Sequence, residues 1–145
     1  METDQPAYIP DDYIDVTAEK IRIYKELDSL LDERETTRMK EILADRFGPL
    51  PVEVENLFQV VLLRNLASKL GFEKQIIKNG MQILNFLVDS SSPYYSSETF
   101  GTILRQVSAH PEFQLKQTDG RLKIVTRGVD SLGKALANLK KLQEN

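Results

Sequence analysis

A chain of 145 residues with no Cys, no Trp, one His and 41% hydrophobic residues is long enough to bury a core of its own without a disulfide or metal staple. The missing cysteines exclude a disulfide framework, a zinc ribbon and a thiol nucleophile. The net charge of −3 conceals a gradient, with residues 1–58 summing to −8, residues 59–112 to +1 and residues 113–145 to +4, and the acidic first half argues against a duplex-DNA surface there.

No run of about 18 apolar residues occurs, and Met1–Pro10 lacks the basic-then-apolar order of a secretion signal, so a soluble, cytoplasmic protein without membrane contact is expected. Residues 1–16 are read as an extended strap, because Pro10 bars helix before it and Asp11 and Asp12 favour turns. Residues 17–145 are expected to form a single α+β domain. Its first helix, 17–31, would be capped by Thr17 and turn Ile21, Tyr24, Leu27 and Leu31 inward. A second, 36–47, would be capped by Thr36 or Thr37, bury Met39, Ile42, Leu43 and Phe47, and stop at Gly48-Pro49. Pro51 suits the start of a third helix, 51–70, whose wide apolar stripe ends at Gly71.

The period then changes. Asn79-Gly80 and Asp119-Gly120 each divide a pair of short apolar runs, which predicts hairpins over 72–88 and 114–126. A helix follows each hairpin: 97–109, capped by Ser97, and 130–144, capped by Asp130. The resulting ββαββα half calls for an antiparallel four-stranded sheet with helices on one face, behind a three-helix N-terminal half. Ser90–Ser97 between the first hairpin and its helix reads as a mobile loop.

Chemistry is harder to find. Gly128-Val129-Asp130-Ser131-Leu132-Gly133-Lys134-Ala135 matches the phosphate-cradling GxxxxGK[ST] pattern except at its last position, where Ala135 has no hydroxyl for magnesium. Asp130 would also set a carboxylate among amides meant for phosphate, so a nucleotide-binding enzyme through Gly128–Lys134 is the weakest alternative. His110, the sole histidine, stands at a helix end, where a positive charge beside free carbonyls is the simpler reading than a catalytic base. Carboxylate pairs such as Asp11/Asp12 and Glu53/Glu55 lack a ligand set around them. Catalytic residues, metal ligands and cofactors are therefore not expected. A nucleic-acid module using Lys116, Arg121 and Lys123 of the second hairpin is the stronger alternative, although stacking platforms are missing beside them. On the second helix, Arg38, Glu41, Asp45 and Arg46 form a charged cluster, with Glu41 and Asp45 four apart on one face. By composition alone this is a surface network such as Arg38/Glu41 or Glu41/Asp45/Arg46, worth little in stability.

The run Asp45-Arg46-Phe47-Gly48-Pro49-Leu50-Pro51 resembles the DRFGPLP signature in the C-terminal domain of bacterial transcription-repair coupling factors. Ile9-Pro10-Asp11-Asp12-Tyr13-Ile14, Arg22-Ile23-Tyr24-Lys25-Glu26-Leu27 and Asn56-Leu57 through Gly71 are similar to that family in order and spacing, and the likeness covers residues 9–78, continuing beyond as element order. The resemblance implies a non-catalytic regulatory module of an ATP-dependent DNA translocase whose motor lies outside this chain. It implies docking on an excinuclease-B-like N-terminal module of the same protein, which hides the surface for the excinuclease-A protein until a stalled RNA polymerase is engaged. Direct DNA contact by this module is not expected. Asp45 and Arg46 match the signature and take from it a role in the interface. Glu41 joins them as the acid the family carries just ahead of the signature, the nearer position being Ile42 here.

Overall fold

The computed structural model describes residues 1–145, with helices α1 (Thr17–Asp28), α2 (Glu33–Phe47), α3 (Val52–Lys69), α4 (Glu98–Ala109) and α5 (Leu132–Leu142). Five strands accompany them: β1 (Glu2–Thr3), β2 (Lys74–Lys78), β3 (Met81–Asn85), β4 (Gln114–Thr118) and β5 (Arg121–Arg127). The α+β class is as expected, but the sheet has five strands rather than four, in the order β1-β2-β3-β5-β4. The extra strand is β1, which runs parallel to β2 with Glu2 opposite Ile76 and Thr3 opposite Ile77. Asp4 reinforces it, donating its amide to the Ile77 carbonyl at 3.2 Å and accepting the Asn79 amide on its carboxylate at 2.9 Å. The chain divides into two compact units, Pro6–Leu62 and Met1–Gln5 with Leu63–Asn145, the boundary falling within α3.

In the unit Pro6–Leu62 the core is Ile9, Ile14, Ile23, Leu27, Met39, Leu43, Val54, Phe58 and Val61. The strap residues belong to it: the Ile9 amide donates to the Tyr24 hydroxyl at 2.9 Å, and the Tyr8 amide to the Glu53 carbonyl at 3.2 Å. Strap packing decides which face of α1 turns inward. Ile23, Leu27 and Leu30 meet Ile9 and Ile14, whereas Ile21, Tyr24 and Leu31, expected inside, are 51%, 37% and 79% exposed. Ile42 of α2 is likewise 56% exposed. The cap of α1 is Val16, with no side-chain hydrogen bond, rather than Thr17. Helix α2 starts earlier than expected because Asp32 caps it, accepting the Glu35 amide at 2.9 Å, while the Glu35 carboxylate accepts the Leu31 amide at 2.7 Å. These reciprocal bonds satisfy amides that a helix start otherwise leaves open. Thr36 is buried inside the helix and its hydroxyl donates to the Asp32 carbonyl, so neither it nor Thr37 is the cap. Gly48, at φ +93, ends α2 as the sequence indicates.

In the unit Met1–Gln5 with Leu63–Asn145, both hairpins turn on residues that all have positive φ: Asn79 (54), Gly80 (71), Asp119 (52) and Gly120 (74). One sheet face is covered. There Ile77, Leu84 and Ile124 are buried with Gln75, Gln82 and Thr126. Gln75 donates to the Leu63 carbonyl of α3 at 3.3 Å, and Gln82 donates to the Ala135 carbonyl of α5 at 3.2 Å and to the Gln75 side chain at 3.0 Å. Ser97 caps α4 by accepting the Phe100 amide at 3.1 Å, but α5 is capped by Ser131, not Asp130. The segment Ser90–Ser97 is no loose loop. Pro93–Ser96 forms a 3-10 turn, the Tyr94 hydroxyl donates to the Leu70 carbonyl at 2.6 Å, and the Tyr95 hydroxyl donates to the Leu87 carbonyl. Tyr94 lies against Gly71 so closely that a Cβ there would fall 2.1 Å from its ring, and both tyrosines pack on Phe100. Burial pushes the Tyr94 phenol well above the ordinary tyrosine value.

Candidate protein interface

Glu41, Asp45 and Arg46 are all exposed on α2, within the unit Pro6–Leu62. The helix is placed by its two ends, the Asp32 cap and the Gly48 turn. The Tyr13 hydroxyl donates to the Gly48 carbonyl at 2.8 Å and lies 3.3 Å from the Leu43 carbonyl, and its ring packs on Phe47 at 6.0 Å between centroids. The Arg46 guanidinium stands 5.0 Å above the centre of the Phe47 ring, an attraction of a cation for the ring face. Residues of the signature therefore fix the turn while Arg46 is carried on it.

The ion pairs differ from the network expected within α2. Arg46 reaches the Glu19 carboxylate of α1 at 2.5 Å; Arg22 holds the same carboxylate at 2.6 Å and Glu26 at 2.9 Å. This row of alternating charge, Arg46-Glu19-Arg22-Glu26, is solvent-facing except at Glu19, whose side chain is 20% exposed. The Arg22 hydrogen bond, with Arg46 adding to it, holds the Glu19 carboxyl below the ordinary glutamate value against the opposing effect of desolvation. Glu19 and Arg22 escape a reading confined to one helix. Glu41 and Asp45 make no ion pair, so the Arg38/Glu41 and Glu41/Asp45/Arg46 networks do not form. They share the outer face of α2 with Arg38 and the exposed Ile42. Arg38, Met39 and Ile42 line one wall of a cavity of about 280 Å³, opposite Glu26, Ser29 and Leu30. The surface is thus an apolar spot among charges that have no partner within the chain, beside a held cation.

The other candidates are engaged locally. Lys134 donates to the Gly128 carbonyl at 3.2 Å and pairs with Asp130 at 3.5 Å, so the loop resembling a phosphate cradle directs its lysine at its own backbone and acid. The His110 ring nitrogens lie 3.1 Å from Gln106 and 3.8 Å from Glu112. No group of three or more His, Asp or Glu is placed to hold a metal ion, and no helix is long and apolar enough to cross a membrane. Lys116, Arg121 and Lys123 stand on the face of the sheet opposite to α5, as the strand register requires.

A model of the TRCF domain family matches residues 3–97. The chain is 28% identical over 123 residues to the transcription-repair-coupling factor of Rickettsia prowazekii (strain Madrid E), covering 85% of this chain and 10% of that protein. It is 36% identical over 74 residues to the transcription-repair-coupling factor of Escherichia coli (strain K12), covering 51% of this chain and 6% of that one. The chain thus spans a tenth or less of the length of these relatives. A crystal structure of the C-terminal domain of transcription-repair coupling factor has the same fold, with a TM-score of 0.80 at 21% identity over 97% of this chain and 90% of that one.

Proposed function

Because the chain belongs to the TRCF domain family, we propose that it works as the regulatory C-terminal module of a transcription-repair coupling factor and clamps an excinuclease-B-like N-terminal module of the same protein. The clamp covers the surface that binds the excinuclease-A protein and restrains the motor; engagement of a stalled RNA polymerase opens it. The observation that carries this reading is the outer face of α2, where Glu41, Asp45 and Ile42 stand exposed with no partner in the chain. Unpaired charges of both signs favour specificity and reversibility over raw affinity. Arg46, steered by Glu19 and Phe47, presents a positioned cation at the edge of that face. Covalent linkage keeps the effective concentration near the millimolar range, so contacts too weak to join separate chains still close an intact one.

The test is calorimetric titration of this module into the N-terminal module, for wild type and for Asp45→Ala/Arg46→Ala with the fold checked by circular dichroism. Binding weakened about tenfold or more by the double change, equivalent to about 1.4 kcal/mol, is the expected result. No heat at about 100 μM, together with unchanged excinuclease-A binding when the intact protein carries the same two changes, overturns the clamp.

A further inference from the structure

A second surface lies in the other compact unit and is independent of the α2 face. The register of the sheet sorts its side chains into rows across the strands, since directly opposite residues share a face. On the face opposite to the one that Gln75 and Gln82 bond to α3 and α5, the middle row is Glu2-Ile76-Ile83-Val125-Gln114, apolar over β2, β3 and β5. Ile76 and Ile83 are half-buried and Val125 is buried. On one side runs Lys78-Met81-Arg127, and on the other Lys74-Asn85-Lys123-Lys116. Glu2 holds Lys74 and Lys78, each at 3.3 Å. Lys116, Lys123 and Arg127 have no acidic partner, and Lys116 sits directly across from Lys123, an arrangement that costs stability within the chain.

We propose that this face is a docking site for an acidic amphipathic helix of a protein partner. The dimensions agree. Alternate residues along a strand are about 7 Å apart, so the two cationic rows stand about 13 Å apart, enough to straddle a helix about 10–12 Å across. Strands about 4.8 Å apart stretch the apolar row over about 10 Å, two turns of such a helix. Its apolar stripe lies on the half-buried Ile76 and Ile83, with the buried Val125 completing the row, and acids on both flanks meet the two cationic rows, relieving the Lys116–Lys123 repulsion. A nucleic acid fits less well: the face holds no aromatic side chain on which a base could stack, and its centre is apolar where a phosphate backbone offers nothing apolar.

The experiment is an ¹⁵N NMR titration of the whole chain with a capped helical peptide of about 18 residues bearing a leucine stripe between two glutamate flanks. The same peptide with lysine flanks and a short duplex DNA run alongside. Saturable shifts confined to β2, β3 and β5 for the glutamate peptide alone, weakened tenfold or more by Lys123→Glu/Arg127→Glu and reduced by salt, are the expected result. Lys116→Glu, on the exposed edge strand, serves as the second variant. Absence of binding at about 1 mM, shifts elsewhere, or equal binding by both variants overturns the proposal, and tighter binding of the duplex through the same lysines assigns the face to nucleic acid instead. None of these outcomes touches α2, so the clamp stands or falls separately.

Discussion

Glu19 shows how much one side chain can hold and how poorly a sequence reveals it. Two arginines from two helices converge on its carboxylate, yet only Arg22 is a near neighbour in the chain. Local rules find pairs three or four apart; the Arg46 contact exists only because α2 lies against α1. In the same run, Gly48 was legible, because a helix followed by Gly-Pro has one simple outcome. A carboxyl whose folded pKa is depressed adds stability above the unfolded value, about 4.3, and loses it as pH falls through the folded pKa. Carboxyl ¹³C titration should therefore place the Glu19 midpoint below the other exposed glutamates. Arg22→Ala should raise it most and Arg46→Ala less, following the order of their influence; an ordinary midpoint in the wild type would mean that the charge row does not persist in solution.

Among the elements, the hairpins were the most legible, since Asn-Gly and Asp-Gly supply positive φ at both central positions. Helix starts were not. Three caps fell one or more residues from their expected places, at Val16, Asp32 and Ser131, because neighbouring Asp, Ser and Thr compete for the role and packing chooses among them. The charged stretch before Thr36, outside the helix expected over 36–47, lengthens α2, as Glu and Arg are good helix formers. The two residues of β1 are too few to show a period. Nor does strand alternation tell which polar residues are buried: Gln75 and Gln82 are, completed by Asn138, which donates to Gln82 at 3.1 Å. Replacing Gln82 by Leu keeps the bulk but leaves Gln75 and Asn138 without that partner. Urea denaturation should show a loss of about 1–3 kcal/mol, partly restored when Gln75 is also changed to Leu. An unchanged midpoint would mean that water replaces the amide.

For the whole molecule, composition set the class and the charge gradient set the character. Pro6–Leu62 carries most of the acid, and the strongly cationic rows belong to the sheet. Such opposite surfaces attract between molecules once the net charge is small. Light scattering at low salt should peak near pH 5.3, the isoelectric point, and fall as salt is added, because screening shortens the reach of surface charge to a few ångströms. Scattering indifferent to salt would rule out charge pairing between molecules.

The pairing of Glu2 with Ile76 also closes a long loop of chain. At about 5–20 residues per second, residues 6–62 are synthesised before β2. Closing a long flexible loop costs entropy that grows with its length, and a stretch already folded in between removes much of that flexibility. β1 reaches β2 only across that long intervening stretch, and until it does the free margin of β2 is open to whatever extended segment reaches it.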